Sequence, residues 1–324
     1  MKKILGIGNA LVDVLYPLEN EQIIQDLDLQ KGAMQLIDAE RFESLRGFLA
    51  EAQCAKTTGG SACNTILALA RLGASTGLIG RIGRDDNGRF FHDSFAAAGV
   101  EPRLMSADEP TGVASTFITP DGERTFGTFL GAAALMQADD LVANWWEGYS
   151  YIYIEGYLVQ NHALITRLVD EAHQAGLTVC LDLASYNIVE ADRNFFAQLL
   201  QKTDIVFANE EEAKAFAGCP AHKALDVLAQ TCRVAVVKVG ADGALAKSGA
   251  DEVALPAVPV SKVVDTTAAG DYFAAGFLYA HAAGRSLSEC LAAGAKLAAE
   301  VIKVVGTRLA DDVWQQLRQS VCQA

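Results

Sequence analysis

In Asp265-Thr266-Thr267-Ala268-Ala269-Gly270-Asp271 a carboxylate stands at the head of an apolar run. That run, Tyr272 to Ala280, has the length and character of a buried helix. The first N–H groups of a helix have no internal partner, and the macrodipole adds to their attraction for negative charge. Small residues at Ala268, Ala269 and Gly270 let a ligand approach that backbone closely. Asp271, in the first turn, would then accept a proton beside a bound phosphate chain. An ordinary N-cap by Thr267 or Asp265 accounts for the same residues without chemistry. Both readings stand on this stretch alone.

Three further stretches carry chemistry. In Thr58-Gly59-Gly60-Ser61-Ala62-Cys63-Asn64 two glycines precede an apolar helix, and Asn64 sits one turn in. An amide there can both donate to and accept from a sugar hydroxyl; the plainer alternative is a loop with Ser61 as N-cap. Asn209-Glu210-Glu211-Glu212 has the spacing of a capping box. Its carboxylates also suit Mg²⁺ held through water, since that ion gives up its hydration reluctantly. Lys238-Val239-Gly240-Ala241-Asp242-Gly243 ends a strand in a glycine turn, where Lys238 would meet a phosphate as a point charge or lie solvated in a loop.

Other signatures fail. Gly6-Ile7-Gly8-Asn9-Ala10-Leu11 lacks the third glycine of a dinucleotide fingerprint, and Gly243 to Ser248 has Ala246 where a P-loop needs glycine. No GxSxG elbow occurs, and the five histidines show no metal-ligand spacing.

The elements that must position these residues alternate between β-rich and helical, which points to an α/β fold with a largely parallel sheet. Strands are expected at Ile4–Gly8, Thr76–Ile82, Tyr151–Glu155, Thr178–Leu183, Asp204–Ala208 and Val234–Val239. Helices are expected at Ala39–Glu51, Ala62–Leu72, Arg89–Ala98, Ala163–Ala175 and Glu211–Phe216, with three more after Gly270. Gly112–Thr119 and Arg124–Leu130 flank Pro120-Asp121-Gly122-Glu123, a hairpin that would serve as a lid or lie as an inert edge.

With 324 residues, 51% hydrophobic and 20% charged, the chain can build a large core. Its net charge of −14 argues against nucleic acid or an anionic membrane as partner. Seven scattered cysteines without a CxxC pair suit reduced thiols in a cytoplasm. The apolar start at Ile4 is broken by Asn9 and Asp13, so it reads as a first strand rather than a secretion signal.

Taken in order, the motifs resemble the ribokinase/PfkB family of carbohydrate kinases. Gly59–Gly88 is similar to the family's first signature and Asp265–Gly276 to its second. Asp13, Asn209–Glu212 and Gly240–Gly243 fall where family motifs are expected. Gly8 to Asp13, Lys31-Gly32-Ala33-Met34 and Gly122-Glu123-Arg124-Thr125 resemble adenosine-kinase-like members, while Ala268 departs from the glycine most members carry.

The resemblance implies a three-layer α/β/α core with a mostly parallel central sheet, one domain over residues 1–324, and a small β lid from about 11–37 and 103–131. It implies transfer of the ATP γ-phosphoryl group to a primary hydroxyl of an adenosine-like nucleoside or a sugar. The alternatives are a free-sugar kinase of ribokinase or fructokinase type and a silent nucleotide- or sugar-binding regulator. By the same resemblance Asp271 is the catalytic base, with Ala268, Ala269 and Gly270 around the phosphates. Asp13, Gly59, Gly60 and Asn64 hold the acceptor; Asn209, Lys238, Gly240 and Gly243 bind ATP; Glu212 stands near Mg²⁺ through water. A monovalent cation such as K⁺ and a homodimer through the lid belong to the same expectation.

Overall fold

The computed structural model describes residues 2–32, 34–49, 54–121 and 123–322. Ala33, Gly122 and the end of the expected Ala39–Glu51 helix lie outside them. The chain opens with β1 (Ile4–Ile7) and leaves for a second sheet as β2 (Leu11–Pro17). There follow α1 (Gln22–Asp26), β3 (Met34–Leu36), α2 (Ala39–Phe48) and β4 (Ala55–Gly59). It returns through α3 (Ser61–Arg71), β5 (Thr76–Gly83), α4 (Asp86–Ala97) and β6 (Val100–Ala107), then forms the antiparallel hairpin of β7 (Thr111–Ile118) and β8 (Arg124–Gly131). Next come β9 (Tyr151–Glu155), α5 (His162–Gln174), β10 (Thr178–Asp182), α6 (Tyr186–Ala191), α7 (Arg193–Leu200) and β11 (Ile205–Asn209). After α8 (Glu210–Ala217) and α9 (Ala221–Ala229) run β12 (Val234–Lys238), β13 (Ala244–Ser248) and β14 (Asp251–Leu255). Three helices close the chain: α10 (Ala269–Ala282), α11 (Leu287–Val301) and α12 (Asp311–Cys322).

Nine strands form the large sheet in the order β14-β13-β12-β11-β10-β9-β1-β5-β6, parallel except for β13 and β14. Side chains alternate across it as strand geometry requires. Tyr151 and Tyr153 join the core under α3, α10 and α11, while Ile152 and Ile154 join the core under α5, α8 and α9. A sheet buried on both faces reads as continuous apolar runs, which is why its strands stand out in the sequence. The result is a three-layer α/β/α arrangement.

The second sheet has the order β3-β8-β7-β2-β4. It draws on β4, a segment outside the expected lid ranges, while residues 103–107 belong to β6 of the large sheet. Helix α2 packs on it, with Phe42 stacked on Phe129 at 4.4 Å between ring centres. No helix of the described residues is long and apolar enough to cross a membrane.

Helices α10 and α11 meet backbone to backbone. A Cβ on Gly276 would collide with the Ala293 carbonyl, and one on Gly294 would stand 2.7 Å from the Phe273 carbonyl. Gly276→Val should therefore lower stability by about 1–3 kcal/mol through overpacking. A denaturant midpoint equal to wild type, with an unchanged slope, would show that the helices can part at no cost.

Candidate active site

Four neighbouring parallel strands end on polar residues at the carboxyl edge of the large sheet. Glu155 on β9 lies level with Asp182 on β10, and Asn209 on β11 lies level with Lys238 on β12. Ligands of open α/β sheets bind beyond this edge. The starts of α3 and α10 face the same space.

Each of the two glycines before α3 makes room for the protein itself. A Cβ on Gly59 would collide with the Asp13 carboxylate, and one on Gly60, at φ +98°, with the Asn9 carbonyl. Gly60 is the N-cap and Ser61 caps nothing; its hydroxyl donates instead to Asp271 Oδ1 at 2.7 Å. The Asn64 amide donates to Asp271 Oδ2 at 2.9 Å. The two glycine motifs are thus joined through one carboxylate.

The start of α10 has no side-chain cap, so neither Thr267 nor Asp265 plays the ordinary N-cap role. Ala268 is the N-cap residue, in a left-handed conformation at φ 60° and ψ 10°. That conformation costs a residue with a Cβ roughly 1–2 kcal/mol, which explains why glycine would suit the position. Ala269 N–H donates to the Thr266 carbonyl at 3.2 Å. The N–H groups of Gly270 and Asp271 meet no acceptor among the described residues. Asp265 instead organises the loop from below: it accepts from Thr267 N–H at 3.0 Å and Gly306 N–H at 2.7 Å. Arg124, on β8 of the second sheet, pairs with it at 2.7 Å, and the two side chains are 13% and 3% exposed.

Electrostatics at the site are dominated by buried acid. Burial pushes Asp271 up to about 6, with Ser61 and Asn64 opposing the rise and Asp182 adding to it. Asp13 is pushed up to about 7 by burial and then by the Asp271 charge, against Arg124. Glu155 also rises to about 7 through burial, although Ala62 N–H and the Asn9 side chain donate to it at 3.0 and 2.6 Å. These are the environments in which carboxylates exchange protons near neutral pH.

Beside them lies a second group. Lys238 Nζ is 3.1 Å from Asp182 Oδ2 and 3.0 Å from where a Cβ on Gly270 would stand, so glycine at 270 admits the ammonium. Burial alone would lower the Lys238 pKa, but Asp182 and Glu212 outweigh it and hold the pKa above its ordinary value. Lys238, its side chain 15% exposed, is a largely covered charge rather than a solvated loop lysine. Asn209 and Glu212 form the capping box: Asn209 Nδ2 and N–H donate to the two oxygens of Glu212 at 2.7 and 2.8 Å. Burial, followed by Asp182, pushes Glu212 to about 7. Gly240 opens a short 3₁₀ turn in open space, whereas a Cβ on Gly243 would collide with the Leu255 carbonyl.

With both Glu212 oxygens engaged, and no three His, Cys, Asp or Glu side chains grouped to ligate a metal among the described residues, direct ligation is not built in. Asp182, Glu212 and Asp271 nevertheless influence a single neighbouring cation, Lys238. That excess of hard oxygen donors fits a hydrated divalent ion.

A cavity of about 570 Å³ opens over the site, with Asp13, Asn64 and Glu155 at its polar end. Its walls are Met34, Leu36, Phe126, Met136, Tyr157 and Ile188. Phe117 of β7 is fully buried in the second sheet, stacks on Tyr16 and lines none of this cavity. Phe126, on the neighbouring strand β8 opposite Thr116, lines the cavity instead. Glu155, Asp182, Ser61 and Arg124 escaped sequence reasoning. For Glu155 and Asp182 a signal was present, since each is a lone acid ending an apolar strand.

The chain matches the pfkB family carbohydrate kinase profile over residues 32–314. A probable sugar kinase from Rhizobium etli CFN 42 superposes with a TM-score of 0.88 at 34% identity, covering 98% of both chains. An adenosine kinase from Sinorhizobium meliloti does so at 0.88 and 33%, covering 98% of this chain and 99% of its own. The adenosine kinase of Schizophyllum commune is 28% identical over 94% of this chain and 96% of its own. With both signature stretches meeting at Asp271 and the family profile spanning most of its length, the chain belongs to the pfkB family of carbohydrate kinases.

Proposed function

We propose that this chain is an ATP-dependent nucleoside kinase, moving the γ-phosphoryl group to the primary hydroxyl of an adenosine-like acceptor. The shape of the acceptor cavity carries the reading. Its polar end, at Asp13 and Asn64, suits the vicinal diol of a ribose. The remainder is apolar and too large for a bare sugar. Met34 and Leu36, on β3, are 49% and 56% exposed at its mouth. Covering them with a flat base would remove apolar surface from water. Two of the similar proteins are named adenosine kinases, which agrees. A free-sugar kinase is the second reading, because the polar end alone would serve ribose or fructose. A silent binding protein would have no use for a carboxylate held by two donors at a helix start.

In this reading Asp271 receives the hydroxyl proton as the acceptor oxygen attacks. The transition state of phosphoryl transfer is loose, so alignment and charge stabilisation outweigh base strength. The N–H groups of Gly270 and Asp271, with the approach kept open by Ala268 and Ala269, stabilise charge on the transferred group. Asp13, Gly59, Gly60 and Asn64, with Glu155 behind them, fix the sugar. Lys238, Asn209, Gly240 and Gly243 line the path of the donor. Mg²⁺, held through water by Glu212 and Asp182, would neutralise phosphate charge. The Arg124–Asp265 pair ties the second sheet to the phosphate loop and makes that sheet a lid. Association of two copies through the lid would have to avoid the area under α2. Cys54, Cys63, Cys180, Cys219, Cys232 and Cys290 are free thiols, which suits a reducing cytoplasm.

Asp271→Asn should cut kcat by about 10²–10⁴-fold while ATP binding by calorimetry stays within a few-fold. Wild-type turnover in that variant would remove the proposed base. Only ionised Asp271 can accept a proton, and its pKa is raised to about 6. kcat/KM should therefore fall as pH drops through about 6, approaching tenfold per unit. A profile flat from pH 8 to pH 5 would contradict the assignment. Acceptor-dependent ADP release should give adenosine and other nucleosides a kcat/KM advantage over ribose and fructose. If the free sugars match them, the nucleoside assignment falls and the kinase assignment stands.

A further inference from the structure

A second cavity, of about 330 Å³, shares no lining residue with the acceptor cavity. Its volume lies in the range of small-molecule sites, about 300–1,000 Å³. Three cations line it: Lys56 on β4, Arg71 on α3 and Arg308 ahead of α12. Their compensation is thin. Lys56 donates to the neutral Asn87 amide at 3.1 Å. Arg71 reaches Asp311 only at 3.5 Å, and the Asp311 side chain is 94% exposed. Arg308 has neither ion pair nor hydrogen bond among the described residues. In a chain of net charge −14, a concave group of three weakly paired cations is a local reversal of the surrounding field. The same cavity has an aromatic wall formed by Phe90, Tyr272 and Trp314, the last two with ring centres 5.8 Å apart.

We propose that this cavity binds the phosphate group of a small effector, with Lys56, Arg71 and Arg308 on the oxygens. The body of a phosphate monoester would lie against Phe90 and Trp314. Inorganic phosphate satisfies the same cations without that body. The position links the cavity to turnover, independently of which acceptor the enzyme uses. Tyr272 follows Asp271 directly, and its hydroxyl donates to the Thr307 carbonyl beside Arg308. Lys56 and Thr58 lead along β4 into Gly59, which abuts Asp13. A ligand here braces both the catalytic helix and the strand that feeds the acceptor site.

Trp314 is a built-in reporter. Titrating the wild-type protein with inorganic phosphate, and separately with AMP, should change tryptophan fluorescence saturably, with calorimetry as a parallel readout. Sodium chloride at matched ionic strength should not. Arg308→Glu and Lys56→Glu should each weaken the binding about tenfold or more, as expected for loss of a charge-assisted contact. Neither should alter the KM for ATP measured without phosphate. Trp314→Phe should abolish the optical signal while calorimetric binding persists. Tighter binding of AMP than of phosphate that Arg308→Glu weakens, and that is therefore not AMP held as product in the acceptor cavity, places the ester body on the aromatic wall; equal binding assigns recognition to the phosphate alone. Absence of saturable binding at millimolar ligand, or binding indifferent to both charge reversals, would overturn the site.

Discussion

Two hydrogen bonds onto Asp271, from Ser61 and Asn64, hold together segments 210 and 207 residues apart in the chain. Most of the site depends on that junction. Helix α3 is oriented by Glu155, which accepts from Ala62 N–H and from Asn9, and so ties the helix start to the edge of the large sheet. Helix α10 is oriented by the Asp265 loop beneath it. A displacement of either helix would strip Asp271 of its donors and leave a buried charge unsupported, a costly state. The carboxylate is therefore the gauge of whether the two halves are aligned and, in the proposed reaction, also its chemical centre.

Charge at the cleft is unbalanced by design of the topology rather than by chance clustering. Adjacent parallel strands deliver their last side chains to one edge, so acids ending β9 and β10 converge with the lysine ending β12. Burial holds Glu155, Glu212 and Asp271 well above ordinary carboxylate values. A phosphate chain arriving with its counter-cation would meet a neutralising lysine, free helix N–H groups and oxygen donors in one place. Neither the anion nor the cation alone fits that setting as well as the pair.

The fold was legible where periodicity carries it. Strands buried on both faces read as apolar runs, and Tyr151–Glu155 falls where the sequence places it. The second sheet was harder, because β4, Ala-Lys-Thr-Thr-Gly, is short, polar and at an edge. Asp271 and Asn64 could be found from local pattern, since each sits in a glycine-rich helix start. Their contact could not, because sequence spacing says nothing of which helix starts face each other. Glycines were legible as tight places but not as tight against what: Gly59 makes room for Asp13 and Gly270 for Lys238. Arg124 gave no local signal, as its partner Asp265 lies far along the chain.

The seating of α10 on α11 at Gly276 and Gly294 has a consequence for how this scaffold can change. Without a side-chain layer between the helices there is nothing compressible to absorb a shift, so the aspartate keeps its place in the frame of the large sheet. Compliance is left to the second sheet, whose Met34 and Leu36 face the cavity from β3, a strand of three residues at the edge of that sheet. Apart from the Arg124–Asp265 tie, the place of the aspartate and the walls of the cavity thus rest on separate parts of the fold. Substitutions on that sheet can reshape what the enzyme accepts while the geometry of phosphoryl transfer is inherited intact.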